Sequence, residues 1–169
     1  MSYLLDANVF IQAKNLHYGF DFCPAFWDWL LQNNTTGQVF SIDKVAAEID
    51  AGNDELAHWA RGPGSGLFLP TDADVAASLG QVSRWATSQR YEPAAINTFF
   101  QSADYYLLAH ALARRCVVVT HEVPSTSTKR IKIPNACMGL RLRFMTPYEM
   151  LRRERARFVL GNPGGPVPQ

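Results

Sequence analysis

Short apolar runs alternate with longer amphipathic stretches along this chain. Tyr3-Leu4-Leu5 is apolar, stops at Asp6, and predicts a buried strand. A helix is predicted over Asn8 to Asn15, then an aromatic loop over Tyr18 to Cys23. Pro24 suits a first helical turn, and Phe26, Trp27, Leu30 and Leu31 give the helix to Gln32 an apolar stripe. After the break Asn33-Asn34-Thr35-Thr36-Gly37, Val39 to Ile42 predicts a strand. Asp43 is placed to cap a helix over Lys44 to Ala51, and a short helix is predicted over Asp54 to Ala60.

Beyond the Gly62–Gly66 loop, Leu67 to Leu69 reads as a strand, and Thr71 as the cap of a helix over Asp72 to Ser88. A helix starts at Pro93 and another covers Ser102 to Arg115. Cys116 to Thr120, continuous and β-branched, is the best strand in the sequence. Val123 to Arg130 is polar loop, Ile133 to Leu140 suits a helix, and Leu142 to Met145 an edge strand. Thr146-Pro147-Tyr148-Glu149 combines a capping box with Pro at the first helical position, predicting a helix to Phe158. Residues 1–160 read as one domain, followed by a flexible Gly- and Pro-rich tail over 161–169. Strands alternating with longer helices predict an α/β fold: three layers around a central, mainly parallel sheet.

Composition narrows the function. Apolar residues make up 47% of 169, enough for a buried core and against a disordered chain. No apolar run approaches the roughly 18 residues of a membrane span. The amino terminus lacks the basic-then-apolar order of a signal peptide. Three widely spaced cysteines (Cys23, Cys116, Cys137) argue against a disulfide framework and suit a reducing cytoplasm. The histidines show no HExxH or HxH spacing, so zinc hydrolases of those kinds are not indicated.

The net charge of +1 hides an asymmetry: residues 1–110 carry −7 and residues 111–169 carry +8. Either the halves neutralise one another across the fold, or they mark a polyanionic partner or a metal site beside a basic surface.

Parallel sheets place function at the carboxyl ends of their strands. Asp6 lies past one such end and Glu122 past another, while Glu48 and Asp104 sit on helices able to reach that edge. Clustered carboxylates repel, and a hard cation with oxygen ligands offsets the repulsion. Each acid also has an ordinary reading. Asp6 can cap a helix, Glu48 can be solvated, Asp104 can complement a helix terminus, and Glu122 can be a loop acid.

Leu4-Leu5-Asp6-Ala7-Asn8-Val9 resembles the opening of the PIN-domain ribonucleases, the fold of VapC-type toxins. Glu48 stands where that family carries a helical Glu. Ser102-Ala103-Asp104-Tyr105-Tyr106-Leu107 resembles the segment of its third acid, and Val118-Val119-Thr120-His121-Glu122 the strand carrying Thr-x-Asp. Phe20-Asp21-Phe22-Cys23-Pro24, Phe26-Trp27-Asp28-Trp29 and Lys129-Arg130-Ile131-Lys132-Ile133-Pro134 are similar to a PIN-like subfamily known only as a domain of unknown function.

Over roughly residues 3–158, the resemblance implies a PIN-like sandwich and Mg²⁺- or Mn²⁺-dependent endonuclease action on RNA. It implies Asp6, Glu48 and Asp104 as catalytic metal ligands, Glu122 as the fourth, and Asn8 and Thr120 as orienting residues. It also implies a toxin with an antitoxin partner and a homodimer. Family members usually carry Asp where this chain has Glu122, which motivates the alternative of a catalytically impaired module binding RNA or protein.

Lys129, Arg130 and Lys132 follow the active strand and are the candidate RNA-phosphate contacts. Arg152, Arg153, Arg155 and Arg157 spread around a helix and suit solvation better than a partner. The aromatic stretch Tyr18 to Trp29 suits core packing better than base stacking. Other phosphoryl-handling folds fit poorly: Asp-x-Asp is missing after the first strand, and no Gly-x-x-x-x-Gly-Lys loop occurs.

Overall fold

A computed structural model describes residues 1–161 of the chain. The five strands of its sheet are β1 (Tyr3–Leu5), β2 (Val39–Ile42), β3 (Phe68–Leu69), β4 (Val117–Val119) and β5 (Phe144–Met145). Their order is β3-β2-β1-β4-β5, and every pairing is parallel. Consecutive parallel strands need crossovers, and the helical segments supply them. β1 is the pivot. The chain first builds outward through β2 and β3, then returns to place β4 on the other side of β1. That reversal is a topological switch point, where parallel α/β sheets open a crevice at their carboxyl edge.

The helices are α1 (Ala7–Gln12), α2 (Pro24–Thr35), α3 (Asp43–Asp50), α4 (Glu55–Arg61), α5 (Ala73–Ser88), α6 (Pro93–Gln101), α7 (Ala103–Arg114), α8 (Ile133–Leu140) and α9 (Pro147–Arg153). The central strands are apolar on both faces because helices cover both. Tyr3, Leu4, Leu5, Val117, Val118 and Val119 are all fully buried. The aromatic stretch goes mainly to the core: Phe26 and Trp27 are buried, Tyr18 stacks on Phe26 at 4.4 Å, and Phe20 on Trp27 at 4.1 Å. Phe22 is exposed.

Several element ends differ from the sequence expectation. α1 begins at Ala7 and gives way to a π-helical turn over Ala13–His17. Asp72 rather than Thr71 caps α5: its carboxylate accepts from the Val75 amide at 3.0 Å. Asp43 is the first residue of α3 and makes no cap; its Oδ2 accepts from the Thr71 amide at 3.4 Å instead. The Thr146–Glu149 capping box opens α9 as expected, but the helix stops at Arg153, short of Phe158. Arg155 takes a left-handed φ of 54°, and the Ala156 amide closes back onto the Leu151 carbonyl at 2.9 Å. This turn aims Phe158 at the edges of the Tyr18 and Phe26 rings. The tail expected from 161 onward falls, from residue 162, outside the described residues.

Candidate active site

The β1–β4 register builds the centre of the crevice. Tyr3 pairs with Val117, Leu4 with Val118 and Leu5 with Val119. One step further, Asp6 and Thr120 meet. The Thr120 hydroxyl donates to Asp6 Oδ2 at 2.8 Å. The same hydroxyl oxygen accepts from Asn8 Nδ2 at 3.3 Å and from the Glu122 amide at 3.1 Å. Asn8 Oδ1 in turn accepts from the His121 amide at 3.2 Å. Asn8 and Thr120 thus join Asp6 in one network that ties the end of β4 to the start of α1.

This network bears on the helix-cap reading of Asp6. Asp6 occupies the N-cap position of α1, yet its side chain makes no cap hydrogen bond there and is only 5% exposed. The carboxylate is turned to the crevice and Thr120. Asp104, in the first turn of α7, also faces the crevice, as does Glu48 from α3. All four acids, Asp6, Glu48, Asp104 and Glu122, line one cleft of about 750 Å³.

Their electrostatics are unequal. Burial pushes the Asp6 carboxyl well above the ordinary carboxylate range, and Asp104 and Glu122 push it further. The Thr120 hydroxyl and the Ala7 amide pull it only part of the way back. Burial also raises Asp104, with Glu122 and Glu48 adding repulsion, while Arg130 and Lys132 oppose the rise. Glu122 is paired: its Oε2 accepts from the Ile133 amide at 2.8 Å, and its Oε1 accepts from Arg130 at 3.2 Å and lies 3.9 Å from the Lys132 ammonium. Glu48 is exposed at the rim.

A cleft of carboxylate oxygens with two acids raised by burial and repulsion has the donor chemistry of a hard divalent cation. Among the described residues, however, no group of three or more His, Cys, Asp and Glu side chains is already arranged to hold a metal ion. Glu48, at the solvent edge, has the freedom to turn inward. Glu122 already has a partner on each of its two oxygens.

Arg130 lines the acidic cleft, and Lys129 and Arg130 line a smaller cavity beside it. Arg152, Arg153, Arg155 and Arg157 are all exposed. Three wall residues escaped the sequence reading. Lys44 and Tyr106 line the cleft together, with the ammonium 4.8 Å from the ring centroid, and Phe100 stands near them. Lys44 precedes Glu48 by four positions, which puts both on one face of α3, so its place was readable once Glu48 was singled out. Tyr106 gave no such signal.

The sheet order and the crevice at β1 define a PIN-like α/β fold. The chain belongs to DUF4411, a domain-of-unknown-function family whose model matches residues 3–158. It is similar in structure to FitAcB from Neisseria gonorrhoeae (TM-score 0.54, 21% identity, covering 86% of this chain and 98% of that one). FitAB bound to an IR36 DNA fragment gives TM-score 0.55 at 21% identity, with 86% and 95% covered. VapBC2 from Rickettsia felis, bound to a DNA fragment from its promoter, gives 0.53 at 13% identity, with 86% and 98% covered. No curated protein matches the chain in sequence. Among the described residues no helix is long and apolar enough to cross a membrane.

Proposed function

We propose that this protein is a divalent-metal-dependent endoribonuclease and the toxin of a toxin–antitoxin pair. One observation carries the reading. Four carboxylates from four separate segments line a single cleft at the switch point of the sheet, and two of them, Asp6 and Asp104, are strongly perturbed by burial and by the charge of neighbouring acids. Unpaired acids in a cleft cost stability, and perturbed groups of this kind mark functional sites.

Asp6, Glu48 and Asp104 would hold Mg²⁺ or Mn²⁺, with Glu122 the fourth acid. Such an ion supplies charge neutralisation and water activation for phosphodiester hydrolysis. The chain's own residues do the rest. The Thr120 hydroxyl fixes one Asp6 oxygen, Oδ2. Asn8 holds that hydroxyl in place from α1. Arg130, with Lys129 and Lys132 nearby, offsets the charge of RNA phosphates that the acids alone would repel. The likeness to the FitAB and VapBC2 structures supports the VapC-type reading, in which the protein partner is an antitoxin.

The purified full chain is expected to cut RNA in Mg²⁺ or Mn²⁺, and Asp6→Asn to abolish cutting while keeping the thermal transition. Cutting retained by Asp6→Asn would overturn the assigned site. The engagement of both Glu122 oxygens favours a second reading, a PIN-like module that binds RNA or protein without cleaving it. Calorimetry separates the two: salt-sensitive RNA binding with no uptake of millimolar Mn²⁺ supports the module.

A further inference from the structure

Beside the acidic cleft lies a second cavity of about 330 Å³, and the two share Ser102, Asp104 and Arg130 in their walls. Its character differs. The floor is Phe99 and Ile131, both buried, and one side is the α6 surface at Ala94 and Thr98. Lys129 and Arg130 form the rim. The volume falls at the lower end of the roughly 300–1,000 Å³ range of small-molecule sites. A flat apolar group carrying an adjacent negative charge suits this combination, and a nucleotide has that form.

The basic wall belongs to residues 123–132, which have no regular secondary structure yet are pinned along their length. The Ser125 amide donates to Asn135 Oδ1 at 2.9 Å, and Asn135 Nδ2 returns a bond to the Ser125 carbonyl at 2.8 Å. The Glu92 amide, at the start of α6, donates to the Thr128 carbonyl at 2.9 Å. Ile131 is plugged into the core. Glu122, with its side chain only 9% exposed, grips Arg130 and the first amide of α8 together. The backbone that carries the cations is therefore a built wall rather than a free loop, which cuts the ordering cost of binding.

Resting on the nuclease reading, we infer that this second cavity is a subsite for one unpaired base of the substrate. That base belongs to a nucleotide flanking the phosphate held over Asp6 and Asp104, and its own phosphate rests on Lys129 and Arg130. Glu122 acts here as a positioning residue for Arg130. A base held in a duplex keeps its edge paired and cannot enter such a pocket, so the subsite selects single-stranded segments.

The test measures binding without divalent ions, so that cleavage plays no part. The probe is a fluorescein-labelled single-stranded RNA octamer in EDTA, read by anisotropy with the full chain. Thr98 and Ala94 are exposed on α6, so Thr98→Trp fills the cavity from outside the core. It is expected to weaken binding about tenfold, the loss of one stacked base, with an unchanged thermal transition. Should Thr98→Trp lower that transition, Ala94→Leu gives the same readout from the neighbouring turn. The same octamer as a duplex is expected to compete at least tenfold more weakly. Binding within twofold of wild type in both filled variants, or equal competition by duplex, overturns the subsite. The two readings fail separately. A wild type that cuts RNA and filled variants that bind normally overturn the subsite alone. A wild type that binds the octamer but cuts nothing in Mn²⁺, with weakened binding in the filled variants, overturns the nuclease and leaves the subsite standing.

Discussion

The two walls of the acidic cleft treat the same chemical group in opposite ways. On the β1–α7 side, Asp6 and Asp104 face the cleft with no cation bonded to them among the described residues, and burial and repulsion raise both. On the β4 side, Glu122 is equally sheltered but grips an arginine, lies near a lysine and accepts a helix-terminal amide. The first wall is electrostatically open and the second is closed. Acids that serve only to hold a fold are normally matched by partners, as Glu122 is. Leaving Asp6 and Asp104 unmatched lowers stability, and on the proposed reading a divalent cation would offset that cost.

The largest effect expected from breaking this contrast is on chemistry. Asp104→Asn should lower Mn²⁺-dependent RNA cleavage about 10²–10³-fold, the scale for removing a charge that stabilises a reaction centre. The same change should stabilise the protein without metal at neutral pH by about 1–3 kcal/mol, since it removes a disfavoured buried charge. Cleavage assays and thermal melts on one preparation read both. Loss of stability in Asp104→Asn would mean that the open wall is not strained.

The second effect follows from linkage. For Asp6 and Asp104 the folded pKa lies above the unfolded value, so the folded state binds more protons between the two. Their favourable contribution is complete below the ordinary carboxylate range. It is lost as pH rises through the raised values into the neutral range. Melting temperature in EDTA should therefore fall between about pH 5 and pH 8 by several degrees, and millimolar Mn²⁺ should restore it at the upper end. A flat profile in EDTA would erase the difference between the walls.

A smaller loss is expected on the closed wall. Glu122→Gln removes the charge from the bond to the Ile133 amide and from the contact with Arg130. It should cost about 1–2 kcal/mol and speed protease cutting within residues 123–132. The smallest effect is at Lys44. Lys44→Ala removes one exposed cation over Tyr106 and should raise KM for RNA about two- to fivefold, with kcat unchanged.

The open wall was largely legible in the sequence, and the closed one was not. An apolar triplet ending in an acid reads as a strand end at the carboxyl edge, so Asp6 could be placed before any coordinates. Asp104 was readable because it opens a helix just before the strongest strand. Its burial was not, since it depends on how α6 and the basic loop pack over it. The choice between cap and crevice for Asp6 was likewise hidden. It turns on the β1–β4 register, a pairing between segments more than a hundred positions apart. Glu122 reads as an acid in a basic stretch, and only the return of the chain at Ile133 reveals it as a clamp. The end of α9 was misjudged because nothing local announces a left-handed arginine at 155.

The bond from Thr120 to Asp6 joins residues separated by 114 positions. During synthesis Asp6 is made well before β4. The hydroxyl that orients it, on Thr120, is added only 114 positions later. Contacts of such long range form late and slowly. The bond is therefore absent from any nascent chain that has not reached Thr120, and whatever chemistry the crevice performs is confined to molecules whose β4 has already docked.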